Sequence, residues 1–265
     1  MQVVLLDDDP STLGRRALRK CWTAARGCYS KKSFAELWTE SDTLSDEKML
    51  KVVEDQVIES GHLSVLRHVN LSFSIEGISR SASHQLVRHV AGTAFEQQSQ
   101  RYVKYDDIKF VTPPTITGDT ESRGSPAHIY EDALYGSNDG VEYGEWTIGI
   151  IDFYKELLSA GVPSEDARFV LPNATPTNLI MTANLNSLIN ICHVRLCVLS
   201  QWEIRRLMAA VRRETVKAIP WMKDHLTIRC IAEGVCRESR NRDQHCHIRP
   251  HISRVDIVPK VRASE

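Results

Sequence analysis

From Val69 to Ile75 the chain alternates apolar Val69, Leu71, Phe73 and Ile75 with polar Asn70, Ser72 and Ser74. A period of two sends successive side chains to opposite faces, so this segment has to be a strand buried on one face. Shorter strands are expected over Gln2 to Asp7, over Gln100 to Lys104 and over Ile108 to Val111, the last stopped by Pro113 and Pro114. Helical patterning covers about Thr12 to Arg26 and Asp46 to Glu59. Ser45 and the acidic Asp46 and Glu47 suit the second N-terminus, and Gly61 follows its end. After a break at Gly77 a further helix places Ile78, Ala82 and Leu86 on one stripe, and Gln85, Arg88 and His89 together on another face.

The second half is mainly helical, over Trp146 to Ala160, Asn184 to Leu199 and Gln201 to Ala218. In the middle segment Leu185, Leu188, Ile189, Cys192, Leu196 and Leu199 form the core stripe, which leaves Asn186 and Asn190 off it for a ligand or partner. Residues Thr115 to Gly144 are polar and Gly-rich and are expected to be a surface excursion with a short helix near His128. Strands and helices follow one another without regular βαβ alternation. The fold class is therefore α+β, with a central, mainly antiparallel sheet and flanking helices.

With 265 residues, 42% of them hydrophobic, the chain can bury a sizeable core. The 33 basic and 34 acidic residues give a net charge of -1, so no global field favours a nucleic acid polymer or an anionic membrane. Any phosphate site must be local. No apolar run approaches the roughly 20 residues of a spanning helix, and a cytoplasmic protein is expected. The seven cysteines are odd in number and sparse, so reduced thiols are the default. Cys230, Cys236 and Cys246, with His245, His247 and His251, invite a zinc reading, but their spacings are not those of paired CxxC motifs, and no metal is assigned from sequence.

The densest chemical signal is QLVRHVAGTAFEQQSQRYVKY, Gln85 to Tyr105. Arginine forks suit phosphate, and Gln97, Gln98, Ser99 and Gln100 add neutral donors and acceptors for sugar or base edges. A charged surface helix followed by a polar loop explains the same residues without a ligand.

Arg88-His89-Val90, followed after eight residues by Ser99-Gln100-Arg101-Tyr102, resembles the signature of the flavin-dependent thymidylate synthases of the ThyX type. The likeness extends through ARGCYS (Ala25 to Ser30), GHLS (Gly61 to Ser64), SIEGISRSASHQLVRH, RFVLPNATPTNLIMTANLNSL (Arg168 to Leu188) and RLC with QWEIR (Arg195 to Arg205). It covers about residues 1–225, read as a ThyX-like catalytic domain, with 226–265 as a Cys/His-containing tail. The resemblance implies C5 methylation of a uracil nucleotide, dUMP first, with FAD, methylenetetrahydrofolate and NADPH, in a homotetramer with shared active sites. It assigns Ser30, Ser64, Arg88, His89, Asn184 and Asn190 to the FAD. Gln85, Ser99 and Arg101 go to the nucleotide phosphate, as does Arg168, with Gln97 and Gln98 near sugar and base. Arg195 binds and polarises the pyrimidine, and His62 lies near the stacked flavin and folate.

The pattern is broken where Val90 replaces the second arginine of the Arg-His-Arg triplet, Asn186 replaces an arginine, Arg67 replaces a glutamate, and Val198 and Leu199 replace polar residues. These departures fall on the flavin and folate side. Two alternatives therefore stand beside the dUMP reading: a UMP C5-methylase of the kind found in nucleoside-antibiotic pathways, and a non-catalytic nucleotide-binding homologue.

Overall fold

A computed structural model describes residues 1–7, 9–105, 108–114, 143–236, 246 and 253–254. The chain divides into two compact units, one made of Met1–Asp8, Asn70–Ala183 and Trp202–Leu207, the other of Asp9–Val69, Asn184–Gln201 and Met208–Glu265. Helices combine with an antiparallel sheet, so the α+β class holds. The short helix expected near His128 lies outside the described residues.

The first unit holds a four-stranded sheet in the order β1 (Gln2–Leu5), β2 (Asn70–Ser79), β4 (Pro176–Asn184), β3 (Thr93–Gln97). β1 runs antiparallel to β2 with Val3 opposite Ile75, and β3 antiparallel to β4 with Phe95 opposite Met181. Between β2 and β4 the hydroxyls of Ser72 and Thr182 meet at 2.8 Å. Leu71, Phe73 and Ile75 from β2 and Thr177, Leu179, Met181 and Ala183 from β4 are buried. Each fully buried Leu, Ile, Phe or Met contributes about 1.5–3 kcal/mol relative to exposure.

β2 does not stop at Gly77. Its burial runs on odd positions to Ile75 and resumes at Ile78, one residue out of phase, and Gly77 sits at φ +68°. An extra residue in a left-handed conformation is what a strand needs to shift its phase without ending, and glycine takes that conformation at little steric cost. The helix α4 accordingly spans Arg80–Leu86, and Ile78 belongs to the strand. Arg88 and His89 lie beyond that helix, in the turn after its end, and do not share a helical face with Gln85.

The strands expected over Gln100 to Lys104 and Ile108 to Val111 do not form, and the edge strand is β3 instead. Ser99 explains the first: its Oγ accepts the Arg101 N–H and its carbonyl accepts those of Tyr102 and Val103, donors that a ladder would need. α5 (Tyr143–Ser159) and the one-turn α6 (Ser164–Ala167) also belong to this unit.

In the second unit α1 (Pro10–Gly27) buries Leu13, Ala17, Leu18, Cys21, Trp22 and Ala25 at helical spacing. α2 (Phe34–Glu40) was not legible from periodicity, yet Ser33 and Glu36 form a reciprocal capping box. α3 spans Asp46–Val53, with Ser45 Oγ accepting the Lys48 N–H at 3.4 Å as expected. It does not continue to Glu59 as an α-helix. The turn widens over Glu54–Ile58, the Glu59 N–H reaching the Glu54 carbonyl five residues back at 2.9 Å. α7 (Leu185–Arg195), α8 (Trp202–Ala218), α9 (Arg229–Glu233) and a parallel pair β5 (Val235–Cys236) and β6 (Ser253–Arg254) follow; α8 begins in the first unit. No helix among the described residues is long and apolar enough to cross a membrane.

Candidate functional site

The first unit carries Gln85, Arg88, His89, Gln97, Gln98, Ser99, Arg101 and Arg168. α4 is anchored at its N-terminus by Ser79, whose Oγ accepts the Ala82 N–H at 3.0 Å. Glu203, only 3% exposed, accepts both the Ser79 N–H at 2.6 Å and the Ser79 hydroxyl at 2.5 Å. Sequence reasoning passed over Glu203, although an acidic side chain at the start of a helix signals a capping or anchoring role. This buried carboxylate fixes where β2 becomes α4 and hence the orientation of Gln85. Arg88 is exposed and His89 half-buried, and Val90 is 77% exposed.

Gln97 donates from Nε2 to Ser83 Oγ at 3.1 Å and to Thr177 Oγ1 at 3.0 Å. Both amide protons are thereby used, so Gln97 meets any ligand as an acceptor. Gln98 is oriented the other way, its Oε1 accepting from Asn178 Nδ2 at 3.4 Å. Asn178 also caps the Gly77 N–H at 3.0 Å, which ties this residue to the β2 irregularity.

Arg101 and Arg168 are brought together around α6. Arg101 Nε donates to Glu165 Oε2 at 2.9 Å and its Nη2 lies 2.8 Å from the same oxygen, while Arg168 Nε donates to the Glu165 carbonyl at 2.9 Å. The Ser164 hydroxyl donates to the Arg101 carbonyl at 2.5 Å. Glu165, not foreseen from sequence, thus places a carboxylate in the Arg101 fork.

The second unit carries Ser30, His62, Ser64, Asn184, Asn190 and Arg195. Leu185 N–H bonds the Val69 carbonyl at 3.0 Å, and α7 packs on the 3-10 turn Leu63–His68, so Ser64 and the neighbouring His62 come beside the helix that bears the asparagines. Asn184 caps α7, its Oδ1 accepting from Ser187 N–H at 2.8 Å and Ser187 Oγ at 3.0 Å. Ser30 Oγ accepts the Lys32 N–H at 3.0 Å. Asn190 is exposed and Arg195 half-buried at the helix end.

Asn186 corrects an expectation. It is not off the core but 7% exposed, because nearly the whole circumference of α7's first two turns is covered. Its Oδ1 is buried without a hydrogen-bond partner. A buried carbonyl without a partner costs about 1–3 kcal/mol, so the position is distinguished by an acceptor that the protein's own groups do not meet.

A sequence profile described as Thy1, thymidylate synthase complementing protein, matches residues 12–221. A flavin-dependent thymidylate synthase from Geobacter sulfurreducens is 38% identical over 80% of this chain and 81% of its own length. The Clostridium tetani and Pyrococcus furiosus proteins of the same name are 35% identical over 82% of this chain and 84% of their own, and 37% identical over 80% of each, respectively. The ordered motifs from Ala25 to Arg205 are therefore inherited together, and the chain belongs to the thymidylate synthase complementing protein family.

Proposed function

We propose that this chain methylates C5 of the uracil ring of dUMP, as a cytoplasmic homotetrameric enzyme. The observation that carries the reading is the continuous match across residues 12–221, together with relatives that bear the name flavin-dependent thymidylate synthase. FAD, when bound, supplies the hydride chemistry, with methylenetetrahydrofolate as the carbon source and NADPH as the reductant.

The donor chemistry of the chain fits such a cofactor. The exposed Arg88, Ser64 and Asn190 offer cationic, hydroxyl and amide groups, and the unsatisfied Asn186 Oδ1 lies one helical turn from Asn190. With His89, Ser30 and Asn184 these residues would hold the flavin, and His62 would stand at its edge. The nucleotide falls to Gln85, Gln97, Gln98, Ser99, Arg101 and Arg168. Arg101 and Arg168 hold the phosphate by charge-assisted bonds, and Gln97 accepts from a sugar or base donor. Arg195 binds and polarises the pyrimidine at a carbonyl, and part of its contact is tied to the charge that develops on the ring during the reaction, so that part acts in the transition state.

The test is an anaerobic assay of the purified chain with FAD, NADPH, methylenetetrahydrofolate and either dUMP or UMP, the product identified by mass. Formation of dTMP is expected. Methylation of UMP alone would replace the substrate, and a colourless protein that neither binds FAD nor methylates either nucleotide would overturn the reading.

A further inference from the structure

Four cysteines that the methylation chemistry does not use converge in the second unit. Cys197 lies just beyond α7, Cys230 is within α9, Cys236 is on β5, and Cys246 lies in the connection from β5 to β6. α9 packs directly on α7. The end of α7 and the residues just beyond it, α9 and β5 line a cavity of 130 Å³ whose walls include His193, Cys197, Arg229, Cys230 and Cys236. Sequence reading grouped Cys230, Cys236 and Cys246 with tail histidines and missed Cys197, because the thiol that joins them comes from a distant helix end.

We infer that Cys197, Cys230, Cys236 and Cys246 form a four-thiolate site for a zinc ion that fastens the C-terminal segment to the end of α7. Zinc takes four thiolates tetrahedrally in structural sites, and soft sulfur donors favour it over hard cations. The fold gives the ion a task. β5 and β6 are two residues each and α9 is barely more than one turn, pieces too short to hold by their own pairing. A zinc ion would link them to a long, well-packed helix.

The electrostatics agree with that assignment. Cys197, Cys230 and Cys236 line one cavity, and Cys246 is near enough to act electrostatically on Cys230. A bound zinc ion would draw off the thiol protons, because the thiolate and not the thiol is the ligand. Arg229 on the cavity wall offsets the excess negative charge of a tetrathiolate complex. His193, lowered by burial and then by Arg229 against the opposing Glu233, lines the same cavity. As the side chains stand, no group of three or more His, Cys, Asp or Glu among the described residues is set to grip an ion, so binding has to draw the sulfurs inward across the cavity.

The experiment uses the full-length reduced chain, stripped with a chelator and titrated anaerobically with CoCl2 and then ZnCl2. One cobalt per chain is expected, with the intense thiolate-to-cobalt charge-transfer bands of a tetrahedral site, bleached when zinc displaces it. Cys236→Ser and Cys246→Ser should lose that intensity, and Cys28→Ser, an exposed thiol outside the cluster, should keep it. On the unmutated chain, zinc at ten times its Kd should slow alkylation of Cys197, Cys230, Cys236 and Cys246 by about tenfold and leave Cys28 unchanged, a reading that survives if a variant fails to fold. Absence of the cobalt–thiolate bands, or equal alkylation of those four cysteines with and without zinc, overturns the site. Neither readout depends on flavin or nucleotide, so the result stands apart from the methylation assay.

Discussion

Removing the Glu165 carboxylate tests whether Arg101 is a phosphate ligand held in waiting. In Glu165→Gln the charge that occupies the Arg101 fork at 2.8–2.9 Å is gone, while the backbone carbonyl that Arg168 uses stays. The Arg101 and Glu165 side chains are 52% and 46% exposed, so solvent screens the pair and its worth is about 0–1 kcal/mol. A nucleotide that must displace it should therefore bind Glu165→Gln between equally tightly and about fivefold more tightly. Arg101→Ala should do the opposite. It removes a charge-assisted phosphate contact of about 1.5–3 kcal/mol, less the 0–1 kcal/mol that breaking the ion pair had cost, so dUMP affinity should fall about twofold to 150-fold. Titration calorimetry of dUMP into the flavin-loaded chain measures both, and turnover at saturating dUMP should be little changed because the contact is made equally in ground and transition states. Weaker binding by Glu165→Gln, or unchanged binding by Arg101→Ala, would refute the reasoning.

Arg195→Ala should depress turnover even at saturating nucleotide, because its contact grows with charge on the ring; normal kcat there would remove its catalytic role. Ser79→Ala deletes the α4 cap and one of two bonds to the buried Glu203, together about 2–4 kcal/mol, and an unfolding free energy from urea titration that falls by less than about 1 kcal/mol would show that this junction does not anchor the helix. Gly14→Ala places a Cβ 2.9 Å from the Ala218 carbonyl oxygen, an overpacking cost of about 1–3 kcal/mol that opposes the helix-propensity gain of up to about 1 kcal/mol; a rise in melting temperature would mean the two segments have room to separate. Val90→Arg introduces a guanidinium at a 77% exposed position without a clash and should tighten FAD binding about tenfold or more, and no change would indicate that the flavin contacts no longer run past this turn.

Local pattern determined what local physics controls. The half-buried strand from Val69, the Ser45 cap, the ordered motifs from Ala25 to Arg205 and the α7 stripe from Leu185 to Cys192 were readable from residue type and spacing, whereas the helix stops at Arg195 and leaves Leu196 and Leu199 beyond it and half-buried. The alternation Thr177, Leu179, Met181, Ala183 was equally present in the sequence and would have disclosed β4, and Ser33 with Glu36 would have disclosed α2. Other features had no local signature. Whether Gly77 ends a strand or shifts its phase depends on the neighbouring β1 and β4, and whether residues 100–104 extend or turn depends on which donors Ser99 captures. Asn186 looked peripheral because a helical stripe reports one packed face, and only the neighbours of α7 decide how much of its remaining circumference is covered. The pairing of Arg101 with Glu165, the grip of Glu203 on Ser79 and the approach of Cys197 to Cys230 and Cys236 join residues far apart in the chain. Residue type announces the capacity for such contacts, but their partners are chosen by the close packing of distant segments, which is a property of the tertiary structure alone.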